Sequence, residues 1–222
     1  MVAFAKIRKA AEKRLGSDGL AARLPEVKSP AQLRKLGDDR YLSLMSLRIF
    51  RAGLKHEMVD AKWPAFETAF HGFEPRRVRA MSDEDVEALM KDARLIRHLG
   101  KLKAVHANAA TICALAEEHG SFAAWLAAWP VREITKLWDE LAKRFTQLGG
   151  NSGPTFLRMA GKDTFILTPS VVAALQHWSV IEGEPKGKAE RAKLQALFNA
   201  WAEETGLPLA HLSMTLAASV AS

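Results

Sequence analysis

Apolar positions recur at helical spacing along nearly the whole chain, and nowhere do they alternate like a half-buried strand. Between residues 41 and 50, Leu42, Leu44, Met45, Leu47, Ile49 and Phe50 are too dense for alternation and suit a nearly buried helix, with Asp38 or Asp39 placed to cap it. Trp63-Pro64 is read as opening a short helix to Phe70, since proline suits a first turn, and Phe66, Phe70 and Phe73 are spaced to enter a core. Ser82 followed by Asp83, Glu84 and Asp85 has the form of an N-cap with an acidic first turn, for a helix through Met90. Further helices are expected from about residue 100 to 118 with Gly120 as the stop, and from about 132 to 145 after the break at Trp129-Pro130. Pro169 restarts a helix through Trp178. The stretch 182–188, holding Gly183, Pro185 and Gly187 among charges, is the most linker-like, and two last helices follow at about 189–205 and 208–220. The pattern predicts an all-α protein, a two-lobed helical bundle of about ten helices.

Length and composition narrow the class. A chain of 222 residues can bury roughly 70% of its unfolded surface, so one large domain or two small lobes can hold a real core. Hydrophobic residues at 48% and charged residues at 26% fit neither a disordered chain nor a membrane protein, and no apolar run reaches the ~20 residues of a bilayer span. The net charge of +7 favours an anionic partner without naming one. The single cysteine, Cys113, excludes an internal disulfide and any zinc site needing two thiolates; it agrees with a reducing compartment, and a cytoplasmic location is expected. Lys6, Arg8, Lys9, Lys13 and Arg14 are interleaved with alanines and followed by no apolar stretch, which predicts a basic surface helix and no secretory signal. Residues 1–34 are accordingly read as a basic helical extension to a helical domain at 35–222.

The sharpest local feature is a glycine-rich turn between two helical stretches. Leu148-Gly149-Gly150-Asn151-Ser152-Gly153 lets backbone N–H groups point outward at the start of a helix, an arrangement suited to a phosphate oxygen. No Lys-Ser/Thr pair follows, so a nucleoside triphosphate site is not indicated. On local grounds a plain helix–helix turn fits the glycines as well. Asp163 reads equally as a helix cap or as a carboxylate available for chemistry. None of the seven histidines has the HExxH spacing of a metal site.

The run 148–155, LGGNSGPT, resembles the LPGVGxxTA hairpin of helix-hairpin-helix DNA base-excision glycosylases, and Gly161-Lys162-Asp163-Thr164-Phe165 resembles that superfamily's Asp-Thr stretch. The motif would occupy about residues 133–165. Arg51-Ala52-Gly53-Leu54, then FETAFHGF at 66–73, DVEALMKDARLIRHLGKLKAVHANA at 85–109 and Gly120-Ser121-Phe122 are similar, in the same order, to DNA-3-methyladenine glycosylase I. The resemblance implies a monofunctional DNA glycosylase that flips an alkylated base out of duplex DNA and hydrolyses its N-glycosidic bond. By it, Asp163 is the catalytic carboxylate and Tyr41, Arg48 and His56 line the base pocket. It also assigns Leu148, Gly149, Gly150, Asn151, Ser152, Gly153 and Thr155, with Lys162 and Lys101, to the DNA backbone. The implied partner is double-stranded DNA; no membrane, cofactor or metal is expected, and the chain is expected to be monomeric.

The departures from the family are as informative. Its cysteine and histidine zinc ligands are not matched here, Arg48 stands where it has a base-recognising glutamate, and His56 where it has a tryptophan. Pro154 stands where bifunctional members carry a Schiff-base lysine, so a lyase step through that residue is not expected. A non-catalytic helix-hairpin-helix DNA-binding protein is the alternative these replacements leave open.

Overall fold

A computed structural model describes residues 2–221. Among them are thirteen α-helices, three short 3-10 turns and no strand. In chain order the helices are α1 (Phe4–Ala21), α2 (Pro30–Lys35), α3 (Asp38–Arg51), α4 (His56–Ala69), α5 (Pro75–Arg79), α6 (Asp83–Ala88), α7 (Leu99–His119), α8 (Phe122–Ala128), α9 (Ile134–Arg144), α10 (Ser152–Ala160), α11 (Pro169–His177), α12 (Gly187–Thr205) and α13 (Leu209–Ala218). The all-α expectation holds. No helix among the described residues is long and apolar enough to cross a membrane.

The chain forms two compact units, and they do not follow the expected division after residue 34. One comprises the described residues of Met1–Lys28, Pro130–Leu137 and Gly161–Ser222; the other comprises Ser29–Trp129 and Trp138–Ala160. Basic residues mark α1 as a surface helix, but Phe4, Ile7, Ala11 and Leu20 bury its other face, and it packs on α13. Gly16, at φ +71°, interrupts α1 where the chain needs a left-handed residue.

In the discontinuous first unit α13 is the central element, contacted by α1, α11 and α12. Its ends are satisfied from far along the chain. Asp163 accepts hydrogen bonds from the N–H groups of Leu209 and Ala210 at 3.0 and 2.8 Å, and Arg14 donates to the carbonyls of Ala218 at 2.6 Å and of Val220. A carboxylate at the N-terminus and a guanidinium at the C-terminus both complement the helix dipole. Phe165 and Phe198 stack beneath, with ring centroids 4.2 Å apart.

In the second unit α3 runs through the core and touches α4, α5, α7, α8 and α10. Tyr41, Leu42, Met45, Ile49 and Phe50 are at most 1% exposed, as their density predicted. The cap is a different matter. Gly37 holds the N-cap position of α3, whereas Asp38 reaches forward to α8 and accepts from Phe122 N–H at 2.9 Å and Ala123 N–H at 3.0 Å. Asp38→Ala should therefore uncap α8 and lower stability by about 1–2 kcal/mol. A shifted urea midpoint at unchanged slope is the expected reading, and an unmoved midpoint would contradict this role.

Two further differences have clear causes. Pro64 does not open α4 but lies inside it, because Val59, Trp63, Phe66 and Phe70 continue one face across the proline and that packing outweighs a cost of about 3 kcal/mol. Trp63 lies 5.0 Å from Phe66 and 5.4 Å from Phe73, both near-parallel, so the expected aromatic cluster forms with the tryptophan at its centre. The extra helices are short ones: α2, fixed by a Ser29–Gln32 capping box, and α5, capped by Glu74.

Candidate functional site

The hairpin lies wholly in the second unit. After α9 the backbone turns at Phe145, and Gln147 adopts φ +64° while its amide donates to Gly100 O at 3.0 Å. Fully buried Asn108 clamps the neighbouring residue from both sides: Thr146 N–H donates to its Oδ1 at 2.7 Å, and its Nδ2 donates to Thr146 O at 3.1 Å. Leu148 plugs the base of the turn at 1% exposure. Ser152 N–H donates to Gly149 O and Gly153 N–H to Leu148 O, each at 3.1 Å, closing the turn onto α10.

Two glycines matter for different reasons. Gly150 has φ +56°, the left-handed region. A Cβ on Gly153 would stand 2.9 Å from the Leu148 carbonyl and 3.5 Å from the Leu141 side chain, so only glycine lets α10 approach this closely. Gly149 and Gly150 are exposed, and their N–H groups have no acceptor among the described residues. The hairpin thus presents two outward backbone donors at the foot of a helix, on a base that is itself rigidly bonded. Of the expected hairpin residues, Asn151 is exposed, Ser152 half-buried, and Thr155 donates its hydroxyl back to Asn151 O at 2.6 Å.

The other expected site residues scatter. Tyr41 is 0% exposed and donates its hydroxyl to Leu33 O at 2.8 Å, so it is a core residue and not a stacking surface for a base. Burial, then the charge of Asp38, pushes its hydroxyl well above the usual tyrosine range. His56 is exposed at the start of α4. Lys101 is 8% exposed, and its ammonium donates to Phe50 O at 3.2 Å and Ala52 O at 2.7 Å. It closes the C-terminus of α3 and is not free for a phosphate. Burial chiefly, and Arg48 second, lower its pKa. Lys162 is 3% exposed and lies with Asp163 in the other unit, next to Gly161. Arg48 remains half-buried in the last turn of α3, its Nη2 3.5 Å from Ser152 Oγ.

Asp163 is half-buried and fixed by the two N–H groups of α13, one on each oxygen, which leaves each oxygen a further lone pair. The local cap expected at Thr164 is instead a cap on a helix 46 residues on. Sequence reasoning also missed Asn108 and Gln147. The signal for Asn108 was a lone amide on the apolar face of α7.

The zinc site of the resembled family does not fit these residues. Cys113 is 6% exposed on α7, and among the described residues no three His, Cys, Asp or Glu side chains gather to hold a metal. No step is derived through such an ion.

An all-α scaffold carrying a glycine-rich helix-hairpin-helix defines a class of protein, and sequence comparison places the chain within it. The sequence profile of methyladenine glycosylases matches residues 33–148, more than half of the chain. The chain belongs to the methyladenine glycosylase family. It is 46% identical over 59 residues to DNA-3-methyladenine glycosylase 1 of Escherichia coli K12, a match covering 27% of this chain and 32% of that protein. The chain spans about a third of the length of the curated relatives it matches. A crystal structure of 3-methyladenine DNA glycosylase I superposes with TM-score 0.51 and 25% identity, over 65% of this chain and 86% of that one. An 8-oxoguanine glycosylase/lyase of Methanocaldococcus jannaschii, crystallised with a 15mer DNA containing 8-oxoguanine, superposes over 95% of this chain and 93% of that one with TM-score 0.57. Its 15% identity makes that a likeness of fold alone.

Proposed function

We propose that the chain is a monofunctional DNA glycosylase that removes an alkylated base from double-stranded DNA. The observation that carries the reading is the hairpin, whose exposed Gly149 and Gly150 N–H groups are held open on a base fixed by Asn108 and by the close approach at Gly153. Such donors at a helix start take a phosphate oxygen without reading sequence. Holding the backbone lets a damaged nucleotide leave the stack, at a cost of a few kcal/mol.

Asp163 is the proposed catalytic carboxylate. It stabilises positive charge on the sugar as the C1′–N bond breaks and its electron pair leaves with the base; a water oxygen then bonds to C1′ and passes its proton to the carboxylate. The two α13 N–H groups hold the carboxylate in place for this role. With Pro154 buried in the first turn of α10, no amine there can form a Schiff base.

Incubation with alkylated duplex DNA should release free bases, detected by chromatography, and duplex binding should weaken steeply with salt. Binding without release of any base would favour the second reading, a non-catalytic duplex-binding protein. That reading draws on the engagement of both Asp163 oxygens as a cap.

A further inference from the structure

Arg48 carries a charge that the second unit leaves unanswered. Its Nε is shielded from solvent and has no acceptor, and its one hydrogen bond, Nη2 to Ser152 Oγ at 3.5 Å, is at the limit of such a bond. Among the described residues it takes part in no ion pair. The nearby carboxylate is taken, because Asp60 receives Arg51 through two bonds of 2.9 and 2.6 Å. Burial and, after it, the charge of Arg51 lower the pKa of Arg48, and Arg48 in turn acts on Lys101.

Arg40, on the same helix, shows what a satisfied guanidinium looks like. It makes two 2.9 Å bonds to Glu67, one to Asp39 and one to Gly72 O. Shielding a guanidinium donor without such partners is costly, and an acceptor supplied from outside removes the cost.

The position of Arg48 says what could supply it. Ser152, which it touches, also donates to Gly149 O, so the guanidinium stands two hydrogen bonds from the exposed N–H groups of the hairpin. A phosphate belongs on that exposed rim. A shielded, planar donor set behind it suits the acceptor edge of a base. A fixed positive charge there repels a base that is itself cationic, as purine nucleosides alkylated at N3 or N7 are.

Resting on the glycosylase reading above, we propose that Arg48 sets the lesion class, favouring an uncharged alkylated base with acceptors on its edge over a cationic N-alkylpurine. The test uses the full chain, Arg48→Gln and Arg48→Lys, with thermal melts to verify folding. Single-turnover release is measured from duplexes carrying one 1,N6-ethenoadenine, which is uncharged, or one N7-methylguanine, which is cationic. Wild type should release the uncharged base at least about tenfold faster, and Arg48→Gln should shrink that ratio about tenfold. Arg48→Lys should keep rejecting the cationic base while losing rate on the uncharged one, since an ammonium lacks the planar fork. An equal ratio in wild type and Arg48→Gln would overturn the proposal. So would weaker binding of Arg48→Gln to undamaged duplex with a shallower salt dependence, which would make Arg48 a phosphate clamp. Release of neither base by wild type would strike the glycosylase reading itself, and this inference with it.

Discussion

Asp163→Asn should slow base release by about 10²- to 10⁴-fold, the usual contribution of a positioned acid or base, while leaving duplex affinity unchanged. The substitution is nearly isosteric but does two things at once. It removes the negative charge proposed to face the sugar, and it replaces one of the two acceptors at the start of α13 with an amide that cannot accept. The second effect alone should cost about 1 kcal/mol of stability. A folded variant with a modestly lowered urea midpoint and lost release fits both roles. Full release with a lowered midpoint would reduce Asp163 to a structural cap, and the non-catalytic reading would then gain ground if wild type were also inactive.

Gly153→Ala should have the largest effect on DNA binding. Its methyl group would stand 2.9 Å from Leu148 O, a backbone atom that already accepts from Gly153 N–H, and 3.5 Å from Leu141 on α9. Relief requires α10 to move away from α9, at about 1–3 kcal/mol for an overpacked site. That movement also displaces the Gly149 and Gly150 donors, and duplex affinity should fall by about tenfold or more. Gly149→Ala is the control. No atom lies within 4 Å of its Cβ position and its φ is not positive, so the stability of this variant should be near that of wild type. Equal affinity in Gly153→Ala and wild type would show that the turn does not hold the backbone.

The sequence was informative wherever the physics is local. Periodicity located the long helices, Gly120 stopped α7 at φ +84°, and the glycine-rich turn was placed correctly between α9 and α10. It misled where an interaction joins distant residues. Asp38 sits in a good local capping position, yet its partners lie 84 and 85 residues away; Asp163 finds its partners 46 and 47 residues on. Short-range rules identify a residue able to cap without saying which helix it will cap. Tyr41 and Lys101 failed as expected site residues for a related reason. A tyrosine and a lysine look available in a sequence, but Leu33 O and the carbonyls at the end of α3 had already claimed their polar ends. The short helices α2 and α5 have six and five residues, too few for a period to register, and depend on caps at Ser29 and Glu74.

The central claim is that this chain hydrolyses the bond between an alkylated base and its sugar and does nothing further to the strand. Its most direct test is a single-turnover reaction on an end-labelled duplex bearing one alkylated base, divided between neutral quenching, alkali treatment and borohydride trapping. The account predicts abasic sites that accumulate with time, intact strands until alkali is added, no trapped protein–DNA adduct, and none of this with Asp163→Asn. Duplex that remains free of abasic sites at saturating wild-type protein, across uncharged and cationic lesions alike, would contradict it.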